Sequence, residues 1–209
     1  PADWKGQEVF FHVGSATSNL TLWVNGKYVG YSEDSKVAAE FNITKYLKKG
    51  QNLIAMQIMR WCDGSYLEDQ DFWRFTGIAR EVYLYATPKV HVQDFFINAD
   101  LKNDFKEGVL SGEVQIASAK GKTLDLQLID PQGKEVKQTS VTMFNNGPFT
   151  FRFETLGNVK AWTAETPNLY TLIMTLKQGD KVLEVIPQRI GFRHIEIKGG
   201  QLLVNGQPI

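Results

Sequence analysis

Hydrophobic and polar positions alternate along most of this chain with a period of two. "EVFFHVG" places one side-chain face inward and one outward, the signature of a half-buried strand. "NLTLWVNGKYVGYSED" reads as two strands joined at Asn25-Gly26, a pair that supplies the positive φ angles of a tight type I′ hairpin turn. "AAEFNITKYLKKGQNLIAMQIMRW" gives a short strand, a polar bend around Lys48-Lys49-Gly50 and a long strand. Within it, "TKYL" fits one helical turn with Thr44 as its cap. "REVYLYATP" is a further strand, ending at Pro88. No long stretch carries the 3.6-residue period of a helix.

A second series of alternating segments begins near Val90. It runs through "VHVQDFFINADL", "GVLSGEVQIAS", "KTLDLQLIDPQGKEVKQTSVTM", "PFTFRFETL", "NLYTLIMTLKQGDKVLEVIPQRIGFRHIEI" and "QLLVNGQPI". Pro131-Gln132-Gly133, Asn146-Gly147 and Gly179-Asp180 mark its turns. About seven short strands with turn signals every 8 to 12 residues fit an immunoglobulin-like sandwich. "AWTAETPNLYTL" reads as a corner before a strand, with Trp162 as its buried aromatic. The expected fold is therefore all-β, with two β-sandwich domains that divide near Thr87-Pro88, residues 1–88 and 89–209.

Bulk composition narrows the function classes. The 209 residues suit two domains of about 100 residues each. At 43% hydrophobic and 22% charged, the chain can bury a core. Lys plus Arg and Asp plus Glu balance at 23 each, which lacks the basic footprint of a nucleic-acid binder. No apolar run approaches the roughly 20 residues of a membrane-spanning helix. The single cysteine, Cys62, leaves no intrachain disulfide and both redox compartments open. The chain opens "PADWKGQEVFF" and closes "GGQLLVNGQPI", which reads as an excerpt from a longer protein.

Reactive side chains concentrate in "RWCDGSYLEDQDFWRFTGIAR", between Arg60 and Arg80. It holds four carboxylates (Asp63, Glu68, Asp69 and Asp71), two tryptophans and three arginines. A retaining glycosidase needs two carboxyls about 5 Å apart, flanking the scissile bond from both sides. Neighbours on one loop do not flank a bond, and such pairs are built on separate rigid elements. Binding suits the composition better, because carboxylates accept hydrogen bonds from sugar hydroxyls and aromatic faces cover the CH face of a sugar ring. The alternative is a loop tied down by forked pairs from Arg60, Arg74 and Arg80 to its own carboxylates. There is no G-x-S-x-G nucleophile elbow, no zinc spacing and no phosphate loop. The three histidines, His12, His91 and His194, sit in strand-like alternation and read as structural.

The string from "VNGKYVGYSEDS" through "RWCDGSYLEDQDFWRFTGIAREVYL" resembles the amino-terminal sugar-binding domain of the large β-galactosidases of glycoside hydrolase family 2. "AWTAETPNLYTL" and "IGFRHIEIKGGQLLVNGQPI" resemble the same family's immunoglobulin-like second domain and its exit toward the catalytic barrel. The resemblance covers the whole chain and implies part of a galactose-binding-like jelly roll followed by the sandwich. It implies that no catalytic residue lies in this chain, since the acid/base and nucleophile glutamates belong to the barrel. One family residue carries over: Asp71, matching the aspartate that contacts the galactosyl group and a sodium ion. The magnesium ligands of the family come from the barrel. Trp73 and Arg74 are expected to fix the loop rather than touch sugar. The implied parent is a homo-oligomeric β-galactosidase whose partner is its β-galactoside substrate, with no nucleic-acid or membrane partner. A stand-alone carbohydrate-binding or adhesion module, and a purely structural spacer, are the competing readings.

Overall fold

A computed structural model describes residues 1–67, 71 and 73–209. The chain divides into two compact units, Pro1–Lys89 and Val90–Ile209. Strands dominate both, and among the described residues no helix is long and apolar enough to cross a membrane.

The first unit contains β1 (Glu8–Val13), β2 (Ala16–Thr17), β3 (Leu20–Val24), β4 (Lys27–Ser32), β5 (Ala39–Asn42), β6 (Ile54–Gln57), β7 (Gly77–Ile78) and β8 (Val82–Thr87). Two three-stranded antiparallel sheets, ordered β5-β1-β8 and β4-β3-β6, form its layers. The alternation explains the packing. Val9, Phe11 and Val13 of β1 meet Leu20, Leu22 and Val24 of β3 in one buried cluster closed by Ile43. Asn25 and Gly26 join β3 to β4 at φ 52° and 78°, the left-handed pair that a type I′ turn requires.

Two local expectations are corrected here. The turn at Thr44–Tyr46 exists as a single 3₁₀ turn, but Thr44 is not its cap. The Asn42 side chain accepts the Thr44 N–H at 3.1 Å, while Thr44 Oγ1 accepts the N–H of Val9 at 2.8 Å and so ties the turn to β1. The long strand expected after the bend at Lys48-Lys49-Gly50 is only four residues, because past Gln57 the chain leaves the ladder with β3 to enter the loop.

The second unit contains β9 (Val92–Lys102), β10 (Glu107–Ile116), β11 (Thr123–Ile129), β12 (Glu135–Thr142), β13 (Phe149–Gly157), β14 (Tyr170–Gln178) and β15 (Lys181–Ile190). A three-stranded antiparallel meander of β16 (Ile195–Lys198), β17 (Gln201–Val204) and β18 (Gln207–Pro208) follows. The first seven strands make two sheets, β13-β10-β9 and β12-β11-β14-β15, the three-on-four layering of an immunoglobulin-like sandwich. Leu124, Leu126 and Leu128 of β11 and Leu172, Met174 and Leu176 of β14 point inward at alternate positions, against Leu110 and Val114 of β10. The corner at Trp162 is present, closed by a bridge to Pro167, but Trp162 is half-buried rather than buried. Its ring fills the space beside Gly191, where a Cβ would lie 2.8 Å from the indole.

Candidate functional site

The loop between β6 and β8 is anchored at both ends on residues 15–19. On the incoming side, Ser18 donates its N–H to the Met59 carbonyl at 3.0 Å, and Met59 donates its own to Asn19 Oδ1 at 2.9 Å. On the outgoing side, β7 pairs with β2, Thr76 Oγ1 donates to the Thr17 carbonyl at 3.0 Å, and Ala79 donates to the Ser15 carbonyl at 3.3 Å. A loop whose two ends share one anchor loses much of its freedom before any ligand arrives.

Inside the loop, Gly64–Leu67 forms one helical turn. Arg74 Nη1 donates to the Ser65 carbonyl at 2.8 Å, fixing the turn from the far side of the loop. The Arg60 and Arg74 guanidiniums stand 5.4 and 5.7 Å from the Trp61 ring centroid, within cation–π range. Arg80 Nη1 donates to the Lys36 carbonyl at 3.1 Å. For Arg60 and Arg80 the contacts differ from the forked pairs expected. Among the described residues Arg60 and Arg80 meet no carboxylate, and what they grip is an indole face and a carbonyl oxygen.

Asp71 is exposed, and no hydrogen bond or ion pair ties its carboxylate to any described residue. Glu68 and Asp69, the other acidic candidates of the motif, lie outside the described residues, as does Phe72. Trp73 does not fix the loop by packing: it is 82% exposed, and its ring stacks on Phe75, 74% exposed, with centroids 6.2 Å apart. Arg74 does have the fixing role expected of it. Beside these residues lies a recess of about 170 Å³ lined by Arg60, Trp61, Trp73, Arg74 and Phe75 together with Ser18 and Ser35. An exposed carboxylate can accept hydroxyl protons, and flat aromatic rings such as those of Trp61 and Trp73 can cover apolar sugar faces. The carboxylate also offers one hard oxygen to a cation such as sodium, with further oxygens needed from elsewhere.

Glu33 joins this loop without any signal in the sequence. Its carboxylate, Cys62 Sγ and an Asp63 oxygen all lie within 4.8 Å of one another. The Tyr31 hydroxyl donates to Glu33 Oε1, and that bond, reinforced by burial, raises the Tyr31 pKa above its usual value. Nothing in the local pattern marks this meeting, because about thirty residues separate Glu33 from Cys62.

The histidines do structural work, and two of the three lie outside strands. His12 in β1 bonds Glu40 Oε1 at 2.7 Å and stacks on Tyr83 at 4.3 Å. His91 is buried just before β9. His194 follows β15 and bonds Asp100 Oδ1 at 2.8 Å.

Comparison with known proteins agrees with this architecture. The family model described as "Glycosyl hydrolases family 2, sugar binding domain" matches residues 1–88, and "Glycosyl hydrolases family 2" matches residues 90–193. The chain belongs to glycosyl hydrolase family 2. It is 40% identical over 218 residues to a β-galactosidase of Priestia megaterium, covering 100% of this chain and 21% of that protein. It is 41% identical over 206 residues to a β-galactosidase of Streptococcus thermophilus, covering 98% of this chain and 20% of that protein. The chain thus spans about a fifth of the length of the curated relatives it matches. Among solved structures, a β-glucuronidase from Bifidobacterium dentium superposes with a TM-score of 0.82 at 19% identity, covering 100% of this chain and 40% of that one. One from Ruminococcus gnavus gives 0.81 at 21% identity, covering 100% and 37%. These structures share the fold.

Proposed function

We propose that this chain is a non-catalytic portion of a β-galactosidase that hydrolyses terminal non-reducing β-D-galactosides with retention. Two carboxylic acids on a catalytic barrel outside this chain would carry the chemistry through a galactosyl-enzyme intermediate. The chain itself would supply one wall of the substrate pocket. The observation that carries the reading is Asp71: an exposed carboxylate with no partner among the described residues, on a loop stitched at both ends to residues 15–19. Relatives named β-galactosidases at about 40% identity support the choice of sugar. In the full enzyme Asp71 would accept a hydroxyl of the galactosyl group and give one oxygen to a sodium ion. Magnesium would be held by barrel residues alone. The isolated chain would bind its substrate weakly and turn over none.

The test is Asp71→Ala in the full-length enzyme. A loss of about 100-fold in kcat/KM is expected, because a group that positions the sugar serves both the ground state and the transition state. Unchanged kinetics would overturn the assignment.

A second reading has one observation in its favour. The stacked, exposed Trp73 and Phe75 suit a stand-alone carbohydrate-binding module. Calorimetric titration of the isolated chain with galactose and lactose separates the two, since millimolar or tighter binding by the chain alone supports the module. The purely structural spacer is the weaker alternative, because it would have the Asp71 carboxylate tied into the loop.

A further inference from the structure

In the second unit, β9 and β15 are the outermost strands of their respective sheets, and each turns an unpaired edge toward a cleft of about 600 Å³. The cleft is lined by residues 95 and 97–100 on one side and by 188–191 and 193–195 with Leu169 on the other. At its end the Arg193 N–H donates to the Ala99 carbonyl at 3.2 Å and bridges the two walls. Its volume falls within the range of small-ligand sites.

The charges in the cleft are unbalanced. Asp100 is its one carboxylate among the described residues, and that group is already engaged: Oδ1 takes the Leu101 N–H at 2.7 Å and His194 Nδ1 at 2.8 Å. Asn205 holds His194 from behind, accepting its main-chain N–H at 2.9 Å, and donates to the Trp162 carbonyl at 3.0 Å. Arg193 is held in place, its guanidinium 5.0 Å from the Trp162 ring centroid. Arg189 is exposed and forms no ion pair among the described residues. Two guanidiniums thus share a concave site with a single carboxylate, whose Oδ1 is already taken by Leu101 and His194. An isolated surface arginine is ordinarily satisfied by water. A pair of arginines in a cleft, one of them held over an indole face, is instead arranged for forked recognition of a carboxylate.

We infer that the cleft between β9 and β15 is a binding site for a carboxylate-bearing ligand, with Arg189 and Arg193 as its two contacts. The carboxylates can come from acidic side chains of an extended polypeptide or from a small polycarboxylate, and the same chemistry serves both. This site is independent of the Asp71 loop, so the two assignments stand or fall separately.

The experiment is an NMR titration of the 209-residue chain with citrate and with a glutamate-rich decapeptide, using a lysine-rich decapeptide at matched salt as control. Saturable shifts confined to residues 95–100 and 188–195 are expected, with affinity falling as salt rises. Arg189→Gln is expected to weaken binding about tenfold, and Arg189→Gln combined with Arg193→Gln to abolish it. Arg189 is exposed and away from the Trp162 corner, so its variant tests the site without disturbing the fold. Binding by citrate alone identifies a small-molecule site, and tighter binding by the acidic peptide identifies a polypeptide partner. Absence of saturable shifts with both acidic probes would overturn the inference. So would equal binding of the lysine-rich peptide, or binding that Arg189→Gln leaves intact.

Discussion

The Tyr170 hydroxyl accepts the main-chain N–H of Lys160 at 2.9 Å. Tyr170 begins β14, and Lys160 lies in the connection that precedes it, so the bond closes the corner between the two sheets. Antibody-like sandwiches use the same tyrosine corner. Tyr170 is buried and its ring meets Phe192 edge-on at 5.1 Å, so Tyr170→Phe keeps the packing and strands one N–H. The expected cost is about 1–2 kcal/mol, read as a lower midpoint in urea unfolding of the chain.

Asn25 carries more than a turn conformation. Its Nδ2 donates to the Tyr46 carbonyl at 2.9 Å and to Asn52 Oδ1 at 2.8 Å, and its Oδ1 accepts the Leu53 N–H at 3.0 Å. Asn25→Gly preserves the φ of 52° and removes these bonds, whereas Asn25→Ala also imposes left-handed strain. Both variants are expected to lose stability, with alanine worse than glycine by about 1 kcal/mol. Paired thermal melts check the order, and equal losses would show that the conformation contributes nothing.

Asp125 predicts an acid-sensitive step. Burial pulls its pKa upward, but bonds from Lys177 Nζ at 2.5 Å and Ser140 Oγ at 2.5 Å prevail and hold it below the usual carboxylate value. A depressed pKa means that the folded state favours the charged form. The stabilisation is therefore complete above the ordinary value of about 4 and disappears as pH falls through the folded-state pKa. Asp125→Asn is expected to cost about 1 kcal/mol near neutrality and nothing measurable in strong acid. Unfolding curves of both proteins from pH 7 down to about pH 1.5 give the comparison, and a pH-independent difference would refute the ion-pair account.

Trp73→Ala is expected to leave the stability of this chain within about 0.5 kcal/mol of the parent sequence, because an exposed side chain has little packing to lose. A drop of several kcal/mol in the isolated chain would mean that the indole braces the loop after all.

The period-two pattern makes most of the architecture legible from the residues alone. Alternation in "KTLDLQLID" and "NLYTLIMTLK" marks which residues of β11 and β14 face the core, and Asn25-Gly26 announces its own turn. These signals are local, so sequence carries them. What stays hidden depends on long-range pairing. Thr44 serves β1, thirty-five residues away, rather than its own turn. Arg60 meets the Trp61 face and Arg80 the Lys36 carbonyl, although composition alone suggests carboxylates. Glu33 meets Cys62, and Asn205 joins His194 to Trp162, through folding that no spacing rule describes. Resemblance singles out Asp71. Its exposure, and its lack of a partner among the described residues, are visible only in three dimensions.

Of the five tryptophans in the chain, Trp73 is the most exposed, Trp61 is 45% exposed, and Trp4, Trp23 and Trp162 are half-buried. The loop therefore contains its own optical probe. Its emission should lie at the red, water-facing end of the indole range and move to the blue whenever a sugar or another polypeptide covers the loop. A single unlabelled sample, excited at the red edge of indole absorption, would report coverage of the Trp73 side of the loop in real time.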